Sequence, residues 1–266
     1  MNLFEGKYST DIIRCRPIRM FELTLFPIKM DQYPEFTDCK DGLILMQQSL
    51  PVRYAVMPFL QALYELDLDY LDQTGKPAGY FGAVLRFLLM ALRIPLPVSE
   101  DEGVPIQIVA NKDDPRNLTG IRITQGDVMV TITPSMFAKM RPVLAEQNGL
   151  KLMDEGQNAE LLEAERDIMQ SEQTGVAYDW EALLYSVSVA VGQDVEQIYE
   201  WPIRKFQMTQ AAIDRSYGFL QGIIVEANGG KYKQGNPWPS WKFDRAKGLS
   251  PALVSFESEQ RKYANL

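Results

Sequence analysis

The chain has 266 residues, a net charge of −8 and a pI near 4.8. Apolar residues at 46% and charged residues at 23% exclude a disordered chain and provide for a sizeable core. The acidic balance excludes nucleic-acid binding through a whole-surface positive field, though not through a local basic patch.

Histidine is absent from the sequence, and the only cysteines are Cys15 and Cys39. The usual parts of zinc sites, nucleophile–base pairs and disulfide scaffolds are therefore mostly missing. The opening Met1-Asn2-Leu3-Phe4-Glu5-Gly6 carries an early acid and no apolar stretch of the signal-peptide kind. The longest apolar run, Phe87 to Leu92, is far short of the roughly 20 residues of a bilayer span. Synthesis and folding in the cytoplasm are expected.

Residues 11–29 read as extended, with Phe21, Leu23 and Leu25 alternating against Glu22, Thr24 and Phe26. Pro17 and Pro27 make this an edge strand or two short strands. The stretch 31–41 reads as a loop, with Pro34 and Gly42 as breakers. A helix is predicted over Met57–Asp72 from Phe59, Leu60, Leu63, Leu66, Tyr70 and Leu71, with Pro58 suited to its first turn. Residues 78–94 predict a helix that is apolar around most of its circumference, hence central to a core.

Strands return at 104–109 and in a hairpin whose arms carry Ile121 and Ile123, then Val128, Val130 and Ile132, around Gln125-Gly126-Asp127. Thr133-Pro134 opens a helix with Met136, Phe137, Met140, Val143 and Leu144 on its buried stripe, and Asn148-Gly149 closes it. Pro142 inside it implies a kink or a shorter first turn. Residues 153–173 hold seven acids against Arg166 and read as an exposed connecting helix or linker.

Asp179 is positioned to cap a helix burying Trp180, Leu183, Leu184, Val187 and Val191, ended by Gly192. After a turn through Val195, Ile198 and Tyr199, a long helix carries Phe206, Ile213, Tyr217, Leu220 and Ile224 as far as Asn228-Gly229-Gly230. Two helices and a turn cannot bury both stripes, which demands packing against the first domain or a partner.

Few arrangements carry chemistry. Asn111, Asp113 and Asp114 offer oxygens to a cation, but without EF-hand spacing they read as a solvated loop. Glu160, Glu163 and Asp167 share a helix face but have too little apolar surface around them to be tuned as acid–base groups. Cys15 and Cys39 read as small buried hydrophobes. Gly229-Gly230-Lys231 follows a helix, whereas a phosphate cradle precedes one. No catalytic, cofactor-binding or metal-ligating residue is assigned.

The segment 231–247 stands apart, with five basic residues against Asp244 and with Tyr232, Trp238, Trp241 and Phe243 interleaved. Three readings fit: a structural cap on the helical domain, a protein interface built on Tyr232, Trp238, Trp241, Lys242, Phe243 and Arg245, or a platform for single-stranded nucleic acid. Charge complementarity with 153–173 adds weight to a protein partner.

Phe137, Met140, Arg141 and Gln147-Asn148-Gly149-Leu150 form an F-x-x-M-R-x-x-x-x-x-Q-N-G-L string. Asp179-Trp180-Glu181-Ala182-Leu183, Ile198-Tyr199 and Pro202-Ile203-Arg204-Lys205-Phe206 follow it. In this order the chain resembles, over about residues 130–245, a family of tail-module proteins of tailed bacteriophages, mainly of Gram-positive hosts. The resemblance implies a role as tail assembly chaperone or as a small tail or baseplate component. It brings no catalytic residues. Its implied partners are other phage tail proteins (tape-measure, tube or baseplate), with a homo-oligomer possible and no membrane partner. The implied setting is the host cytoplasm during assembly, with retention in the virion possible.

The expected fold is α+β: a mixed N-terminal domain (1–152) with short antiparallel strands and a buried helix, an acidic connector (153–173), a helical domain (174–248) and a C-terminal extension (249–266). The expected function is non-enzymatic. The alternative is a single-stranded nucleic-acid-binding accessory protein using residues 231–247.

Overall fold

A computed structural model of the chain describes residues 8–95, 106–152, 179–230 and 238–243. The fold is α+β, with two small antiparallel sheets and a helical C-terminal region. Two compact units divide the chain between Gln207 and Met208.

The first unit opens with α1 (Ser9–Ile13), which buries Ile12. The extended reading of 11–29 therefore holds only after Cys15. Strands β1 (Ile18–Met20) and β2 (Leu23–Leu25) pair through a turn at Phe21-Glu22, the two short strands that Pro17 and Pro27 allow. Leu23 and Leu25 are fully buried, as their alternation required.

The loop expected at 31–41 is instead a helical turn, Met30–Gln32, running into α2 (Tyr33–Ile44). Pro34 lies in the first helical turn, where its missing N–H has no intrahelical partner to lose. Gly42 is a packing residue: a Cβ there would stand 2.8 Å from the Tyr80 carbonyl oxygen and 2.9 Å from the Ala83 Cβ. Its smallness lets α2 lie along α5 (Tyr80–Leu92), where Phe36 and Phe87 meet at 5.8 Å.

Between them, a 3-10 turn (Gln47–Ser49) and α3 (Val52–Ala55) lead into α4 (Phe59–Thr74). Pro58 stands just before α4 and Gly75 ends it with φ +74°. Helix α5 is the apolar element the sequence predicts, with Phe81, Val84, Phe87, Leu88 and Leu92 all inside. Its N-terminus is held by Asp67 of α4, whose Oδ1 accepts the Gly79 N–H at 2.9 Å.

Strands β3 (Ile106–Ala110), β4 (Leu118–Gln125) and β5 (Val128–Ile132) form an antiparallel sheet in that order, turning at Gly126-Asp127. Ile121, Ile123 and Ile132 face the core, and the solvent side carries Arg122 and Thr124. Helix α6 (Pro134–Gln147) follows, its first turn closed by Thr133 accepting the Met136 N–H; Pro142 lies within it. Phe59 and Phe137 stack at 6.3 Å between α4 and α6.

Residues 153–173 lie outside the described residues. Helix α7 (Trp180–Val191) is capped by Asp179, which accepts the N–H groups of Glu181 and Ala182; α8 (Val195–Tyr199) is capped likewise by Asp194. Helix α9 (Ile203–Ala227) spans 25 residues. The separate helical domain expected over 174–248 is not a single unit, because α7, α8 and the first turn of α9 belong with the N-terminal residues. Trp201, Ile203 and Phe206 are buried there, and side chains this large stabilise by about 1.5–3 kcal/mol each when enclosed. No described helix is long and apolar enough to cross a membrane.

Candidate interaction surfaces

The residues of the F-x-x-M-R and Q-N-G-L string converge on structure rather than on a pocket. Phe137 and Met140 are fully buried. The Arg141 guanidinium lies 3.5 Å over the Phe59 ring and donates to the Leu43 and Leu45 carbonyls at 2.8 and 2.7 Å. It thereby closes carbonyls at the C-terminal end of α2. Gln147 Nε2 donates to the Arg16 and Leu25 carbonyls, at 3.0 and 3.1 Å.

Asn148, with no exposed surface, is satisfied on both sides of its amide. Its Oδ1 accepts the Ile28 N–H at 2.8 Å, and its Nδ2 donates to the Leu144 carbonyl at 2.8 Å. Gly149 takes φ +73°, and Leu150 N–H returns to the Ala145 carbonyl at 2.8 Å, closing α6.

The downstream motifs meet the same strip of chain from another side. Lys29 bridges to Pro202, Ile203 N–H donates to the Ile28 carbonyl, and Met30 N–H donates to the Trp201 carbonyl. Trp180 stacks on Tyr33 at 3.8 Å and meets Phe206 at 5.5 Å. Arg204 Nη1 donates to the Glu146 carbonyl at 2.7 Å, and Lys205 Nζ sits 3.7 Å over the Trp201 ring. These motifs are joints of the fold.

The other candidates from the sequence have ordinary structural roles. Asn111 Oδ1 accepts the Asp113 N–H and Asp114 Oδ1 accepts the Arg116 N–H, so the cluster closes its own loop. Arg53 and Arg116 pair with Glu65, Asp69 and Asp72 of α4, and Tyr54 donates its hydroxyl proton to Asp69. Burial pushes both thiols up, with Arg204 and Lys205 partly opposing at Cys15. Among the described residues no group of three or more acidic or cysteine side chains is placed to hold a metal ion.

The second unit holds the aromatic segment. Tyr232 and Arg245 lie outside the described residues. Trp238 lies against α9 over Gly218, where a Cβ would stand 2.5–2.7 Å from the indole ring. The loop turns on Ser240, whose Oγ accepts the Lys242 and Phe243 N–H groups, and Arg215 Nη1 reaches the Lys242 carbonyl at 3.4 Å. Trp241 and Phe243 point outward, 54% and 72% exposed, with the Lys242 ammonium 5.0 Å over the Trp241 ring. Trp238 packs against α9 while remaining 39% exposed, and Trp241 and Phe243 stand further out.

No protein-family model, curated protein or solved structure matches this chain.

A further surface was carried in the sequence only as a burial problem. The stripe read on the last helix divides: Phe206 is buried, whereas Tyr217, Leu220 and Ile224 stand 59%, 54% and 61% exposed. Their spacing was legible, but the side of the helix that the loop covers was not.

Proposed function

We propose that the chain is a non-enzymatic bacteriophage tail morphogenesis protein, a tail assembly chaperone or small tail or baseplate component, acting through protein–protein contact at the Trp238–Phe243 loop. The observation carrying the reading is the outward presentation of Trp241 and Phe243 beside Lys242, on a loop fastened to α9 by Trp238. Rigid aromatic side chains next to a cation make interface hot spots, because they bring large apolar area at little entropic cost. The resemblance of residues 130–245 to tail-module proteins supplies the setting.

The test is co-expression with tape-measure, tube and baseplate proteins encoded beside this gene. A co-purifying complex is expected, weakened roughly tenfold or more by Trp241→Ala with Phe243→Ala. Absence of a complex with every one of them at micromolar concentration overturns the reading. Single-stranded oligonucleotide binding that falls steeply with salt would replace it with the nucleic-acid alternative.

A further inference from the structure

We propose that α9 pairs antiparallel with α9 of a second copy of this chain, through Ile213, Tyr217, Leu220 and Ile224. This surface is separate from the Trp238–Phe243 loop, and the proposal stands whichever partner that loop takes.

The four residues are spaced by four, three and four, which places them at the d, a, d and a positions of a heptad. At about 100° per residue they fall within an arc of roughly 60°. Gly218 is buried and turned about 100° from Tyr217. The loop that covers Gly218 therefore leaves Tyr217, Leu220 and Ile224 exposed, with Ile213 half-buried at the end of the stripe. A narrow a/d stripe is the surface one helix offers another for knobs-into-holes packing.

Symmetry and charge favour a second copy as the occupant. A two-fold axis between Tyr217 and Leu220 brings each Tyr217 opposite Leu220 of the second copy, and each Ile213 opposite Ile224. Every a position then meets a d position, so the seam is self-complementary. A chain of net charge −8 must avoid like-charge contact in such a dimer. Between Gln207 and Val225 the only charged residues are Asp214 and Arg215. Beside the seam, Asp214 faces Gln221 of the second copy and Ser216 faces Ile223. A seam selecting a charged foreign helix would carry matching charges at these flanking positions.

The area sets the strength. Tyr217, Leu220 and Ile224, 54–61% exposed, with the half-buried Ile213, offer on the order of 300–450 Å² per copy, against about 800 Å² in a standard stable interface. The dimer should therefore dissociate in the micromolar range.

Sedimentation equilibrium of the full chain from ~1 to ~200 µM tests this. A monomer–dimer equilibrium is expected, with Leu220→Glu raising the dissociation constant more than about tenfold while the helical circular dichroism is unchanged. Tyr217→Lys should also be monomeric. Mixing it with Leu220→Glu should restore a heterodimer, because the antiparallel register sets the new charges opposite each other. A wild-type chain monomeric throughout the range overturns the proposal, as does a dimer indifferent to Leu220→Glu. A monomer whose Leu220→Glu variant loses thermal stability assigns the stripe to residues of the same chain, and also overturns it.

Discussion

The side-chain oxygen of Asn148 accepts the backbone N–H of Ile28 at 2.8 Å, across 120 positions of sequence. Its amide nitrogen meanwhile donates to Leu144 in its own helix. One buried amide thus closes α6 and fastens the strip after β2. Asn148→Ala leaves the Ile28 N–H buried without an acceptor and should cost about 2–3 kcal/mol in urea unfolding. Asn148→Asp keeps the acceptor but loses the donor and buries a charge, so its loss should be at least as large.

Asp67 and Asp69, two positions apart on α4, should respond to pH in opposite senses. Burial pushes the Asp67 carboxyl up from its ordinary 3.8, with the N–H groups of Gly79, Gly82, Phe81 and Tyr80 pulling back. The folded chain then holds this proton more tightly than the unfolded chain. The associated stability is full below 3.8 and is lost as pH rises through the folded value. The Tyr54 hydroxyl, then Arg116, pull Asp69 down. Its contribution is present above 3.8 and is lost as pH falls through its folded value. Urea midpoints from about pH 3 to 7 should show Asp67→Asn gaining on wild type as pH rises. The cost of Asp69→Asn should shrink as pH falls.

The β1–β2 turn is built from two residues that resist its geometry. Phe21 and Glu22 have φ of +51° and +68°, between the paired Met20 and Leu23. A two-residue hairpin turn with both centres left-handed is the arrangement Asn-Gly adopts without strain. Replacing Phe21-Glu22 by Asn-Gly should stabilise the chain by about 1–2 kcal/mol, read as a rise in melting temperature.

Gly218→Ala separates the cap from the contact residues. Alanine ordinarily stabilises a helix by about 1 kcal/mol over glycine. Here the added methyl would sit 2.5–2.7 Å from the Trp238 ring, so the indole must leave. Acrylamide quenching of tryptophan fluorescence should rise. Partner binding should weaken even though Trp241 and Phe243 are unchanged.

Much of the fold was readable because its signals are local. Thr133 and Asp179 mark helix starts through their own side chains, Gly126-Asp127 marks its hairpin, and the closed apolar circumference marks α5 as core. Pro34 and Gly42 look like breakers, and so they hide α2 from a local reading. The three-residue and four-residue steps of Phe36, Cys39 and Leu43 held the helical signal, and all three are buried. What Gly42 does is set by Tyr80 and Ala83, and no local pattern records that. The roles of Arg141, Gln147 and Asn148 were equally hidden, since their acceptors and donors lie around residues 16, 28 and 43–45. The string of residues that carries the resemblance also fastens the first unit. The outward set of Trp241 and Phe243 could be guessed only as one choice among three.

The strip from Phe26 to Met30 is bonded by groups the ribosome delivers at very different times. Ala91 supplies an acceptor to Phe26, Asn148 one to Ile28, and Trp201 one to Met30, while Lys29 pairs with Glu200, 171 residues away. At translation rates of about 5–20 residues per second, the last of these partners emerges about 5–20 seconds after the first. The strip from Phe26 to Met30 must wait that long before its native contacts can all form. Such high contact order predicts slow folding, and a ribosome-bound chain stopped before residue 200 should leave the strip from Phe26 to Met30 open to protease.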